Sequence, residues 1–341
     1  MTQAGQPEIY FSFFMFTANL LPAGRSYTSR IVEHIGALHA MGYAGFDLPI
    51  APPATSLNPA AELRSYQRLR DALDKAGLHD VGFTTNVGAT RTYDPSSMYR
   101  DQRELGLAYL KSRVDITKAL RATIMAGPIV VPYGVFPTTD FGQPIWSDAL
   151  QDWLAMRYRN AQPIIQELGD YAAQQGVSLA IEPVDHWETA GPNLVQDVAR
   201  FLEGVASPQV GACVDIAHVV LGSDGPAEFG SAIDDLVATG RLNYVHISAP
   251  DRGAVKDSWI PWKQFLTPIV GNYNGPLLVE VFNAIPVFLN SLRLTRRKFQ
   301  IPGEDHIDDS RPDAYTVARE AIQTVRQEID AVRALSRRDP S

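Results

Sequence analysis

The sequence predicts a single (β/α)8 TIM barrel of the α/β class, and three observations lead to this prediction. Short apolar runs alternate with longer amphipathic segments almost from one end of the 341-residue chain to the other. There are eight such runs, and they are apolar throughout, as is typical of parallel strands covered on both faces. No glycine-rich fingerprint follows the first run, so a doubly wound open sheet is the less favoured alternative.

Each candidate strand is a short apolar run. In chain order the strands are EIYFSFFMF (8–16), YAGFDLPI (43–50), DVGFTTNV (80–87), ATIMAGPIVV (122–131), VSLAIEP (177–183), VGACVDIAH (210–218), LNYVHIS (242–248) and PLLVEVF (276–282). Helical periodicity is found between them and after the last one. The candidate helices are 27–41, 59–77, 97–120, 147–175, 193–206, 227–239, 261–271 and 313–335.

One domain spanning 1–341 is the simplest organisation, because no low-complexity linker and no repeat beyond the β/α unit is found. The segment 284–312 is unusually long and carries the basic run LRLTRRKF. We therefore expect an excursion after strand eight.

Composition limits the classes of function. The formal net charge is −8, which disfavours binding to a nucleic-acid backbone. The single cysteine, Cys213, permits no disulfide within the chain and fits a reducing compartment. The N-terminal sequence lacks a basic region and a cleavage site, and its apolar run 9–16 is too short to span a bilayer. We expect a cytoplasmic protein without a membrane partner.

In a barrel of this kind the active site lies at the carboxyl ends of the strands. Strand five ends in Glu182, strand six in Asp215, strand seven carries His246 and strand eight carries Glu280. This mixed oxygen and nitrogen set suits Mn²⁺, Co²⁺ or Mg²⁺ better than a structural zinc ion. An acid at one strand end could instead cap the following helix. Four such residues on successive strands favour a metal site.

Several motifs resemble those of the ketose 3-epimerases, the D-tagatose and D-allulose 3-epimerase family of the xylose-isomerase-like TIM-barrel superfamily. They are IEPVDHWET (181–189), VDIAH (214–218), VHISAPDRG (245–253) and VEVF (279–282). The resemblance covers most of the chain. Asp185 and His186 depart from it, since the family carries other polar residues there.

The resemblance implies roles for individual residues. The metal ligands would be Glu182, Asp215, His246 and Glu280. The two glutamates would also be the catalytic acid and base. The residues that contact the substrate would be Glu188, His218, Arg252 and Phe282.

The implied function is a metal-dependent sugar epimerase or isomerase. It would invert a carbon next to the ketone of a free keto sugar through a cis-enediolate, with Mn²⁺ the first choice of cofactor and Co²⁺ or Mg²⁺ as alternatives. The same site could serve a lyase or dehydratase acting on a keto sugar, an inosose or a 3-oxo-glycoside. A homodimer or homotetramer is expected, or a different partner subunit if the protein is a lyase.

Two other classes of function are less favoured. A phosphodiesterase acting on abasic DNA would need a histidine-rich zinc site, and the chain has only seven histidines. A non-catalytic binding module would leave the complete ligand set unexplained.

Overall fold

Eight parallel strands close into a barrel in which each strand pairs with its neighbours in the chain and the eighth pairs with the first. The structure is a computed structural model that describes residues 6–17, 22–53, 56–137, 148–222, 225–282, 299–303 and 311–338. The strands are β1 (Ile9–Ser12), β2 (Gly45–Pro49), β3 (Gly82–Asn86), β4 (Ile124–Gly127), β5 (Ser178–Ile181), β6 (Val210–Asp215), β7 (Leu242–Ser248) and β8 (Leu277–Glu280). The predicted (β/α)8 TIM barrel is confirmed.

Helices surround the barrel. They are α1 (Phe14–Thr17), α2 (Tyr27–His39), α3 (Pro59–Lys75), α4 (Arg100–Ala119), α5 (Asp148–Gln175), α6 (Val195–Leu202), α7 (Ile216–Gly222), α8 (Pro226–Ala238), α9 (Trp262–Leu266) and α10 (Ala314–Arg338). Among the described residues, no helix combines the length and the apolar character that a membrane crossing requires. The predicted excursion 284–312 lies mostly outside the described residues.

The ends of two predicted strands are helical, and both predictions were wrong there. Residues 14–16 belong to α1, and residues 216–218 begin α7. In both places buried apolar residues continue from the strand into the helix, with a single buried polar residue, Ser12 or Asp215, at the boundary. Apolar periodicity cannot separate such elements, since both are covered on all sides.

Strand register brings polar side chains to one level of the barrel. Asp215 of β6 is paired with His246 of β7, and Ser248 of β7 is paired with Glu280 of β8. His246 and Ser248 are two residues apart, so their side chains lie on the same face of β7. Three neighbouring strands therefore present these polar groups together.

Below this level, side chains fill the barrel interior. The buried cluster consists of Tyr10, Ile124, Ala126, Ala180, Cys213, Tyr244 and Leu278. Tyr10 crosses the floor, and its ring lies against the backbone of Gly45 and Gly82. A β-carbon at either glycine would collide with that ring, so the bulk of Tyr10 requires glycine at these positions of β2 and β3.

We expect Gly82→Ala to lower the free energy of unfolding by about 1–3 kcal/mol, because the added methyl group must displace the packed Tyr10 ring. Gly36→Ala is the matched control: Gly36 is inside α2 and a methyl group there meets no atom within 4 Å. It should raise stability by about 0.5–1 kcal/mol through helix propensity. Urea denaturation measures the free energy of unfolding of both variants. A change of the same sign in the two would contradict this packing of Tyr10 against Gly82.

Candidate active site

Four polar residues converge above the filled part of the barrel. Glu182 directly follows β5, Asp215 ends β6, His246 lies within β7 and Glu280 ends β8. Each side chain is buried, and one ligand-type atom from each lies within 4.8 Å of those of the other three. The structure thus brings together the four residues that the sequence placed at successive strand ends.

The imidazole of His246 is central to this group. Its Nδ1 atom lies 3.1 Å from Glu182 Oε1, 3.9 Å from Asp215 Oδ2 and 4.0 Å from Glu280 Oε1. Three carboxylate oxygens and one imidazole nitrogen facing a common point are a donor set that fits a divalent cation of the Mn²⁺ or Mg²⁺ type. Three buried carboxylates also need positive charge nearby, since isolated charges of this kind are very costly to bury.

Asp215 uses its two oxygens differently. Oδ1 accepts hydrogen bonds from the backbone N–H groups of Ala217 and His218, at 2.7 and 3.1 Å, and from the hydroxyl of Ser248 at 2.6 Å. Oδ2 faces His246 and Arg252. Asp215 therefore has both roles that the sequence allows, since it caps α7 with one oxygen and offers the other to the site.

Arg252 supplies a permanent positive charge to the group. One guanidinium nitrogen lies 3.3 Å from Asp215 Oδ2 and donates to Ser248 Oγ at 3.1 Å, and the other donates to Glu280 Oε2 at 2.8 Å. The guanidinium also lies 4.5 Å from the centre of the Phe282 ring, which stacks on Phe14 at 4.7 Å. Arg252 and Phe282 therefore form one wall of the site.

A second polar group adjoins the first. Nδ1 of His218 lies 3.2 Å from Asp185 Oδ2 and 3.9 Å from Glu188 Oε2, while its Nε2 lies 3.9 Å from Glu182 Oε1. The imidazole of His218 thus connects a pair of acids in the loop after β5 with the four-residue group. The backbone N–H of His218 donates to Asp215 Oδ1 at 3.1 Å.

The two glutamates have opposite electrostatic environments. Burial raises the pKa of Glu280 to about 8, and nearby Arg252 and His246 only partly offset this. Burial also acts on Glu182, but His246 and His218 outweigh it and lower its pKa. In the protein alone, one carboxyl group of the pair therefore tends to hold a proton and the other to release it.

The histidines of the site favour the charged form. Burial lowers the pKa of His218, but Asp215 and Asp185 outweigh this and raise it to about 9. The pKa of His246 is raised well above its usual value for a similar reason, since burial is outweighed by its acidic neighbours, among them the Glu182 carboxylate at 3.1 Å. A bound cation would have to displace the His246 proton.

We expect divalent-metal binding to release protons and to strengthen as the pH rises from about 6 to about 8. The reason is that Glu280, with a pKa of about 8, and His246 must both lose a proton to become ligands. Calorimetric titration with Mg²⁺ in two buffers of different protonation enthalpy measures the number of protons released. Identical heats in both buffers, with an affinity independent of pH, would contradict this prediction.

Two residues that contribute to the site were not recognised from the sequence. Phe14 was placed inside the predicted first strand, although it lies in α1 and supports Phe282. Ser248 bonds to both Asp215 and Arg252. Its spacing of two residues from His246 on a predicted strand was the available signal, because alternate residues share a face.

Comparison with known proteins defines the class. The sequence profile of the xylose isomerase-like TIM barrel family matches residues 35–300, and the chain belongs to this family. A crystal structure from Anabaena variabilis ATCC 29413, of a protein proposed to be a sugar phosphate isomerase/epimerase, is 55% identical to this chain. It superposes with a TM-score of 0.91 over 96% of this chain and 100% of the other.

Two curated relatives are ketose epimerases. The L-ribulose 3-epimerase of Methylomonas sp. strain DH-1 is 26% identical over 221 residues, which cover 63% of this chain and 68% of that protein. The ketose 3-epimerase of Arthrobacter globiformis is 24% identical over 246 residues, which cover 71% and 75% of the two chains. The resemblance to ketose 3-epimerases inferred from the sequence motifs is confirmed, as is the class of enzyme it implied, a carbohydrate epimerase.

Proposed function

We propose that this protein is a metal-dependent epimerase or isomerase that inverts a carbon next to the ketone of a free keto sugar. The observation that carries the proposal is the convergence of Glu182 and Glu280 on one buried point, beside His246 and Arg252. Two carboxylates can exchange the roles of acid and base when the reaction runs in reverse. The names of the curated relatives support a ketose as the substrate.

The proposed ligands of the metal are Glu182, Asp215, His246 and Glu280, and Mn²⁺ is the ion we expect first, with Co²⁺ or Mg²⁺ as alternatives. When bound, the cation would stabilise negative charge on the sugar oxygens as a Lewis acid.

The two glutamates carry out the proton transfers. One glutamate removes the proton from the carbon beside the ketone, which leaves an enediolate, and the other returns a proton to the opposite face. Which glutamate begins as the base depends on the epimer that is bound, because each would face one side of the reacting carbon. For the reverse substrate the roles are exchanged.

The remaining residues orient the sugar. The guanidinium of Arg252 can donate two hydrogen bonds at once in a fixed geometry, and Glu188 can accept from a hydroxyl. His218 is placed to donate through Nε2, which points toward Glu182. Phe282 and Phe14 present an apolar wall, which helps to exclude water from the reacting carbon.

The decisive experiment incubates the protein and Mn²⁺ in D₂O with each member of a panel of free ketoses, inososes and 3-oxo-glycosides. NMR then detects the products and any deuterium incorporated. We expect deuterium uptake and inversion at one carbon next to the ketone of a free ketose. If the protein exchanges no carbon-bound proton of any free ketose, yet forms an alkene or releases an aglycone, the epimerase proposal is wrong. The lyase alternative would then replace it.

A further inference from the structure

The loop after β5 holds the backbone of Asp185 in place. The Asp185 carbonyl accepts from the backbone N–H groups of Glu188 and Thr189, at 2.8 and 3.3 Å, and the N–H of Asp185 donates to Glu188 Oε2 at 3.2 Å. The Asn193 side chain donates to the carbonyls of Val184 and Thr189, at 2.7 and 3.1 Å. The chain on both sides of Asp185 is therefore bound within this turn.

The same turn is attached to the loop after β4. The backbone N–H of Gly134 donates to the Glu188 carbonyl at 2.7 Å, and the Thr189 hydroxyl donates to the Val131 carbonyl at 3.3 Å. The side chain of Asp185 is buried. It thus points inward from a backbone that two loops support, so it is well placed to fix the orientation of a neighbouring side chain.

That neighbour is His218. Its Nδ1 atom lies 3.2 Å from Asp185 Oδ2, within hydrogen-bond distance, and 3.9 Å from Glu188 Oε2, beyond it. The ring is buried, and Nδ1 has no hydrogen bond to any other residue that the structure describes. The contact with Asp185 is loosely aligned, as is common for catalytic groups before a substrate binds. Of the two acids beside Nδ1, only Asp185 is close enough to hold it.

The second nitrogen of the ring lies on the side of the proposed reacting centre. His218 Nε2 is 3.9 Å from Glu182 Oε1, which belongs to one of the two proposed acid–base groups. Because the imidazole ring is rigid, the hydrogen bond made by Nδ1 also sets the direction of Nε2. Asp185 can therefore control how His218 meets the substrate without touching the substrate itself.

A carboxylate suits this role. When ionised it only accepts hydrogen bonds, so it holds an imidazole through a ring N–H. Hydrogen bonds with a charged partner are also stronger than neutral ones. Asp185 is one of the positions at which the sequence departs from the ketose 3-epimerase motifs, so its contact with His218 is not part of that resemblance.

We propose that Asp185 is a positioning residue: it holds the Nδ1–H group of His218, so that Nε2 faces the oxygen atoms of the bound sugar. This inference rests on the proposed function, in which His218 contacts the substrate.

A double-mutant cycle of Asp185→Ala, His218→Gln and the combined variant tests the inference. With the best free ketose, Asp185→Ala should lower kcat about 10- to 100-fold with little change in KM, because a misdirected imidazole is lost mainly to the transition state. Once His218 is glutamine, the same change at position 185 should cost less than about twofold, since Asp185 acts through the imidazole.

Two further variants separate positioning from a general structural role. Asp185→Asn should lose less activity than Asp185→Ala, because the amide oxygen can still accept from Nδ1. His186→Asn is the control from the exposed side of the same turn and should match the wild type. An additive cycle, loss of metal from Asp185→Ala, or an asparagine variant as impaired as the alanine variant would overturn the inference.

Failure of the proposed function would be visible separately. If the wild type turns over no free ketose but eliminates from an inosose or a 3-oxo-glycoside, the same cycle is measured with that substrate.

If the wild type turns over none of these compounds, ¹⁵N NMR of the histidine-labelled, Mg²⁺-loaded protein decides the matter. The His218 signals are assigned by their absence in His218→Gln. We expect a protonated Nδ1 in the wild type, and a shifted Nδ1 signal in Asp185→Ala but not in His186→Asn. An unprotonated Nδ1 in the wild type, or an unchanged signal in Asp185→Ala, would overturn the inference.

Discussion

Glu182→Gln and Glu280→Gln should each lower the rate of sugar inversion by about 10²–10⁴-fold, the usual contribution of a positioned acid or base. Glutamine keeps the shape of the side chain but can neither remove nor deliver the proton. Because inversion needs a group on each face, at least one variant should retain single-face chemistry. Solvent deuterium would then enter the reacting carbon without inversion, which NMR detects directly.

The control for this prediction is Glu104→Gln, since Glu104 is exposed and its ion pair with Arg100 lies at the surface. It should keep full activity. Metal content must be measured in the Glu182 and Glu280 variants and restored by added Mn²⁺ before the rates are compared. If a metal-loaded Glu→Gln variant inverts the sugar at the wild-type rate, that glutamate is not an acid or base in the reaction.

Asp215→Ala and His246→Ala should lose the bound metal and, with it, activity on the order of 10³-fold, since a Lewis-acid cation contributes several kcal/mol to such a reaction. His246 Nδ1 is the atom that faces the three carboxylates, and its removal leaves the donor set without nitrogen. Elemental analysis after dialysis and Mn²⁺ reloading measures occupancy.

Glu188→Gln provides the contrast, because Glu188 contacts His218 and the backbone of Asp185 and is not among the four residues around His246 Nδ1. It should keep the metal and lose activity. Full metal content in Asp215→Ala and His246→Ala would show that the ligands have been misassigned, and loss of metal in Glu188→Gln would show that the site extends to the second group.

The positions of the metal-ligand candidates could be predicted because simple rules determine them. Asp215, His246 and Glu280 stand out as polar residues in otherwise apolar strands, and parallel strands of a barrel share one active-site end. Register then places Asp215 beside His246. Their roles remain predictions.

Other features depend on tertiary contacts that no local pattern records. The apolar pattern of VGACVDIAH does not show that a helix begins directly after Asp215, because that helix is as buried at its start as the strand. The pairing of Asp185 with His218 joins the loop after β5 to α7, 33 residues further along the chain, and the barrel brings them together. The stacking of Phe14 on Phe282 likewise depends on β1 and β8 being neighbours.

The predictions on the basic run, the domain organisation, the location and the oligomeric state are not tested by the structure. The basic run at residues 293–298 lies outside the described residues, so its role stays open. A single domain over 1–341, a cytoplasmic location and a homodimer or homotetramer also stay predictions.

The double use of Asp215 has a consequence for how the site is assembled. The N–H groups of Ala217 and His218 and the hydroxyl of Ser248 hold its Oδ1, so the side chain loses its rotational freedom when β6, β7 and α7 come together and not when a cation arrives. Part of the conformational entropy of metal binding is thus already lost on folding. A site organised in this way can be emptied and refilled without unfolding, unlike small domains that fold only around their metal. Exchange of one divalent ion for another should therefore leave the barrel intact.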